Sequence, residues 1–322
     1  MQIVLQIIFF AIGFVLIIYG GDTFVDAALV IGRKIGISPL ILGATIVSLT
    51  TTLPELFVST IASASGHTDM AIGNAVGSII CNTGLILGLC AVLSPMLLTG
   101  QSQIKKGIVL LVSIVALFIL TVLGPITVSG GLCLYALLIV YLWINFREMK
   151  QSPESDDSNV PFSAKHVVMF VIGAGCIIVG SNLLVNAASK LAELLHVPEK
   201  LIALSVVALG TSLPELVTSL TAIRKKEAGL SIGNIIGANI LNIVLVMATS
   251  SIVAADGLTT SITQSGILKG QNQLLILDIP IAFVLAGCLL YCAKRKKVSR
   301  ATGVLLLCIY AGYMGFMAYA VL

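Results

Sequence analysis

Residues 50–60 read TTTLPELFVST. They sit inside an apolar run from Pro39 to Ala64 that is long enough to cross a bilayer, which takes about 20 apolar residues as a helix. A spanning helix has little tolerance for the two residues at its middle. Pro54 has no backbone N–H and splays the turn before it, so carbonyls near Thr50 and Thr51 lose their helical partners. Glu55 brings a carboxylate to a depth where insertion costs about 2.5–3.5 kcal/mol. In lipid, each freed carbonyl needs another partner, so the stretch predicts a broken span built around something polar.

The rest of the chain supports a membrane setting. Of its 322 residues, 58% are hydrophobic and only 10% charged, with a mean hydropathy of +1.10. Soluble domains carry roughly 25% charged residues, so the bilayer is the expected partner. The formal net charge of +4 lies mostly in short loops and gives no reason to expect nucleic acid. The 7 cysteines fall in apolar runs without a CxxC pair and read as packing residues. The N-terminal apolar run lacks a basic flank and reads as a first span rather than a signal peptide.

The LPEL word occurs twice. At an offset of 160, Leu53-Pro54-Glu55-Leu56 falls on Leu213-Pro214-Glu215-Leu216, and Ile72-Gly73-Asn74 falls on Ile232-Gly233-Asn234. Without a gap, the same offset sets Gly77 on Gly237 and Asn82 on Asn242. Ten segments reach spanning length: 3–21, 38–63, 71–95, 107–123, 127–146, 166–189, 199–222, 229–253, 274–293 and 302–322. The polar stretch QSPESDDSNVPFSAK, 151–165, separates five from five. Five is odd, so the second half enters from the opposite side. The expected fold is an all-α polytopic membrane protein of ten transmembrane helices in two inverted five-helix repeats, 1–150 and 166–322, joined by a cytoplasmic linker.

With both termini outside, 15 of the 18 Lys and Arg fall in inside loops, Lys105 and Lys106 among them. That matches the positive-inside rule, and the expected location is the plasma membrane. Inverted repeats with interrupted helices typify transporters, whose sites lie near the midplane between the halves.

No Lys, Arg or His is expected at the depth of Glu55 and Glu215, so a bound cation is their natural counter-charge. Ser48, Thr51 and Thr52 precede Glu55 by seven, four and three residues, and Thr211 and Ser212 repeat the last two before Glu215. On the following helices Ser78 and Asn82 share a face, and Asn242 repeats Asn82. Oxygen donors of this kind suit hard cations such as Ca²⁺ and Na⁺. His67, His166 and His196 lie near loops, which disfavours zinc or copper. There is no P-loop, nucleophile–base pair or metal triad, so the chain reads as no enzyme, with no cofactor and no required oligomer. Asp22, Asp26, Asp69, Asp256 and Asp278 lie near expected membrane edges and read mostly as solvated.

Together, SLTTTLPE with GNAVGSIICN and ALGTSLPE with GNIIGANILN resemble the paired α-repeats of the calcium/cation antiporter superfamily, and within it the prokaryotic sodium/calcium exchangers. The resemblance spans almost the whole chain. It implies a plasma-membrane antiporter exchanging Ca²⁺ for Na⁺ by alternating access, with the second, third, seventh and eighth helices as an ion-binding core and the first and sixth sliding against it. By position it implies Glu55 and Glu215 as calcium-coordinating carboxylates. It adds Thr51, Thr52, Thr211 and Ser212 as hydroxyl and carbonyl ligands, Ser48 and Ala208 as backbone carbonyl donors, and Ser78 and Asn82 as third-helix ligands. Four positions depart from the family pattern: Thr50 for glycine, Ile79 for asparagine, Ala238 for a small hydroxyl residue, and Asn242 for aspartate. These departures leave the driving ion open between Na⁺ and H⁺ or K⁺. A cation channel is a weaker reading, because channels set carboxylate rings by symmetric assembly around a pore.

Overall fold

The computed structural model describes residues 2–98, 101–151, 162–195, 208–260 and 270–321. Among these, eight helices are long and apolar enough to cross a membrane, and a bent pair is a candidate for one more span. The helices are α1 (Gln2–Lys34), the pair α2 (Pro39–Thr51) and α3 (Leu53–Ala64), α4 (Thr68–Leu93), α5 (Ser102–Leu123), α6 (Val128–Gln151) and α7 (Ala164–Leu194). After these come the short α8 (Ala208–Gly210), α9 (Leu213–Arg224), α10 (Ala228–Val253), α11 (Leu274–Lys294) and α12 (Arg300–Val321). Most of the linker 151–165, and residues 199–207 of the expected seventh span, lie outside the described residues.

Boundaries recur 160 residues apart. Helix α3 and α9 start and end in register, and His67 and Glu227, which precede α4 and α10, share nearly the same backbone angles. Both α4 and α10 widen into a π-helical stretch, Cys81–Leu87 and Asn242–Met247, and regain α geometry at Gly88 and Ala248.

Helices α4 and α10 form the centre. Buried residues make up 72% and 83% of their most apolar stretches, against 17% for α1 and for α12, whose apolar side chains face outward. The approach of α10 to α2 is backbone on backbone. A Cβ on Gly43 would stand 2.3 Å from the Leu230 carbonyl oxygen, and one on Gly233 would stand 2.2 Å from that of Leu40. Only glycine permits this, as the glycine-rich IGNIIGA piece suggests. Helices α1 and α7 pack by the same device, with Gly13 against the Gly180 carbonyl. A two-residue antiparallel ladder, Met96–Leu97 with Lys297–Val298, ties the α4–α5 connection to the α11–α12 connection.

Three sequence expectations change. Helix α1 runs on to Lys34 rather than ending near residue 21, and its Asp22 and Asp26 meet basic partners at the end of α9. Asp22 pairs with Arg224, Lys225 lies 2.8 Å from Asp26, and Arg33 reaches Glu227 at 3.5 Å. Lys106 is not a loop residue: it lies in the first turns of α5, fully buried, with Nζ 2.5 Å from Glu148 Oε2 on α6. Asp278 is not solvated. It is 8% exposed and accepts from Tyr313 Oη at 3.1 Å and from Gln273 Nε2 at 3.2 Å, where the π turn Leu274–Asp278 brings it inward.

Candidate cation-binding site

The bent pair places the opening motif. Thr52 is a turn residue with φ −80° and ψ −5°, and α2 and α3 meet there at 42°. Ser212 takes almost the same angles, φ −87° and ψ 3°, between α8 and α9. Pro54 and Pro214 each sit second in the new helix, where a missing N–H costs least. The residue after each proline is the glutamate, so both carboxylates ride in the first turn of a half-helix. The positive end of a helix dipole favours an anion there.

Both glutamates are completely buried. Each stands within electrostatic reach of the other. Glu55 Oε1 accepts from Ser78 Oγ at 3.3 Å, and Ser78 Oγ accepts from Ser212 Oγ at 3.3 Å. Thus a hydroxyl from the second half reaches the first-half carboxylate through Ser78. Thr51 neighbours Glu215 across the same boundary. Ser48, Thr51, Thr52, Ser78, Asn82, Ser212 and Asn242 are all buried.

Much of this polar material has no partner inside the protein. Glu55 Oε2, both carboxylate oxygens of Glu215, Thr52 Oγ1 and both side-chain polar atoms of Asn82 and of Asn242 are buried without a hydrogen bond. A buried, unsatisfied polar atom costs about 1–3 kcal/mol, more for a charged group. The oxygens among these atoms could hold a hard cation. The buried lysine, Lys106, is already committed to Glu148. Among the described residues no group of three or more His, Cys, Asp or Glu could hold a metal, so the donors are two carboxylates with hydroxyls and amides. That set suits hard cations.

The expected residues are not all gathered equally. Ser78, Ser212, Glu55, Thr51 and Glu215 are linked by the contacts above. Asn82 and Asn242 lie at matched places near the onset of the π stretches of α4 and α10, beyond hydrogen-bond reach of either carboxylate. Ser48 Oγ donates to the Thr45 carbonyl at 3.2 Å. Ala208 begins α8. Two residues absent from the expected set are drawn into the same network. Thr51 Oγ1 donates to Asn234 Oδ1 at 3.1 Å, and Thr211 Oγ1 donates to Asn74 Oδ1 at 3.1 Å. Their signal in the sequence is the IGN triplet at offset 160; nothing there named their partners.

The family profile described as sodium/calcium exchanger protein matches residues 5–147 and 165–319. An uncharacterized membrane protein of Methanocaldococcus jannaschii is 33% identical over 311 residues, covering 96% of this chain and 97% of its own. The sodium/calcium exchanger MaX1 of Methanosarcina acetivorans is 27% identical over 362 residues, covering 99% of this chain and 100% of its own. Among solved structures, the sodium-calcium exchanger NCX_Mj soaked with 10 mM Na⁺ and zero Ca²⁺ matches with a TM-score of 0.82 at 31% identity, covering 97% of this chain and 99% of that one.

Proposed function

Since the chain belongs to the sodium/calcium exchanger protein family, we propose that it is a secondary active antiporter exchanging Ca²⁺ for Na⁺ across the plasma membrane by alternating access. The observation that carries this reading is the pair of fully buried glutamates, three of whose four carboxylate oxygens have no partner in the protein. Glu55 and Glu215 supply two negative charges, which one Ca²⁺ neutralises. Thr51, Thr52, Thr211, Ser212, Ser78, Asn82 and Asn242 supply further oxygens, and Ser48 and Ala208 supply backbone carbonyls. Na⁺ competes for the same oxygens, and that competition couples the two fluxes.

The architecture we assign is ten transmembrane helices in two inverted repeats, 1–150 and 166–322, with linker 151–165 cytoplasmic and both termini outside. The 160-residue register of α3 with α9 and of α4 with α10 supports it. Helices α1 and α7, joined through glycines, are the pair that moves past the core.

The test is Ca²⁺ flux in proteoliposomes under Na⁺, K⁺ and pH gradients imposed separately. Uptake is expected to need an outward Na⁺ gradient. Glu55→Gln and Glu215→Gln should each lower it by roughly a hundredfold or more, the scale of breaking a buried charge pairing. Intact uptake in both variants overturns the site. A second reading, Ca²⁺/H⁺ or K⁺-dependent exchange, draws on two buried carboxylates able to carry protons, and on Ala238, which brings no hydroxyl to α10. Flux driven by the pH or K⁺ gradient alone would select it.

A further inference from the structure

We propose that Asn74 and Asn234 are positioning residues that fix the hydroxyl orientation of Thr211 and Thr51, each acting across the boundary between the two halves. The inference rests on the cation site assigned above. A hydroxyl has one proton and two lone pairs. One that ligates a cation must turn its oxygen to the ion and send its proton elsewhere. For Thr51 the nearer acceptor is Asn234 Oδ1 at 3.1 Å, ahead of the Ser48 carbonyl at 3.3 Å, and for Thr211 it is Asn74 Oδ1 at 3.1 Å.

Each asparagine is held in turn from its own half. Asn74 Nδ2 donates to Ser59 Oγ at 3.0 Å, and Asn234 Nδ2 donates to Ser219 Oγ at 3.4 Å. Ser59 and Ser219 follow Glu55 and Glu215 by four residues, one helical turn on the same face. Asn74 Nδ2 also reaches the Glu55 carbonyl at 3.4 Å. Two chains result. The Glu55 helix acts through Ser59 and Asn74 on Thr211, and the Glu215 helix acts through Ser219 and Asn234 on Thr51.

A lone asparagine in an apolar helix is ordinarily glue between helices. Here the same donor, acceptor and anchor recur at offset 160, and both times the hydroxyl served belongs to the opposite half. Each glutamate helix thereby orients a threonine facing the other glutamate's half, so the two poles of the site are set together.

The experiment is a pair of double-mutant cycles on the full chain, reading half-saturating Ca²⁺ and maximal rate in proteoliposomes, together with Ca²⁺ and Na⁺ protection against thermal unfolding in detergent. Asn234→Ala and Thr51→Val should each raise half-saturating Ca²⁺ roughly tenfold, more than they lower the maximal rate, as expected for one hydrogen bond at a charged site. The double variant should be no worse than either single one. Asn234→Ala with Thr211→Val should instead multiply. Asn74 should show the mirror pattern, coupled to Thr211 and independent of Thr51.

Multiplicative behaviour within the bonded pairs overturns the proposal, as does a change confined to maximal rate. If an asparagine variant does not fold, Ser59→Ala and Ser219→Ala remove the anchors alone. They should raise half-saturation by roughly threefold, at the low end for one hydrogen bond, and no change overturns the proposal. A wild-type protein protected by Na⁺ but not Ca²⁺ refutes the assigned ion, and the cycles are then read on Na⁺. One protected by no cation refutes both.

Discussion

In the first half, Ser78 donates to Glu55 at 3.3 Å. In the second, the position 160 residues after Ser78 is Ala238, and neither oxygen of Glu215 receives a hydrogen bond. The backbones that carry these carboxylates share helix boundaries, proline placement and the turn at Thr52 and Ser212. At the 160-residue offset the scaffold matches while the donors differ. One carboxylate has a serine donor on the following helix of its own half, and the other has none. A second asymmetry separates the ends of the bundle. Asp22, Asp26, Arg224 and Lys225 pair where α1 meets the end of α9, whereas the positions related by 160 are Asn182, Asn186, Ala64 and Ser65.

The largest expected effect breaks the shared scaffold. Gly233→Val puts a side chain against the Leu40 carbonyl, where a Cβ alone would stand at 2.2 Å. Overpacking against backbone should cost about 3 kcal/mol or more. Thermal unfolding in detergent reads it, and a wild-type melting temperature would mean that α2 and α10 need not touch. Ser78→Ala acts less strongly and makes the first pole resemble the second. Loss of a hydrogen bond to a charged group, about 1.5 kcal/mol, should weaken Ca²⁺ roughly tenfold. Ca²⁺ titration checks this, and an unchanged affinity would mean that the difference between the poles does not govern binding. The smallest effect belongs to the double variant Asp22→Asn with Asp26→Asn. These ion pairs are exposed, and such pairs contribute little. Exchange rates should shift by less than roughly threefold and lose part of their salt dependence. A loss of folding would give these pairs a structural weight that their exposure does not suggest.

The broken span at Pro54 was legible because proline and a carboxylate cannot share a lipid-buried helix without a reason, and the second LPEL word gave that reason a second witness. Asn74 and Asn234 were harder to read. An amide in an apolar helix signals that it has a partner, but the partner here lies 137 or 183 residues away in sequence. Lys106 was read as a loop cation because charge argues for exposure. Its burial depends on Glu148, supplied by the neighbouring helix. Asp278 looked solvated because it stands near the end of an apolar run; Tyr313 from α12 and the local π turn enclose it. Helix α1 outran its apolar segment because backbone hydrogen bonding does not stop where the side chains turn polar.

By itself the sequence determined the membrane setting, the broken span at Pro54 and the matching helix start at Pro214. These follow from transfer energies and backbone hydrogen bonding, which are local and one-dimensional. The tertiary structure alone decided which hydroxyl meets which acceptor, that Ser78 serves Glu55 while Glu215 has no such donor, and that each threonine is held from the opposite half. The threonine–asparagine pairings join side chains 137 and 183 residues apart along the chain, and the Thr51–Asn234 bond forms where glycines let the backbones of α2 and α10 touch.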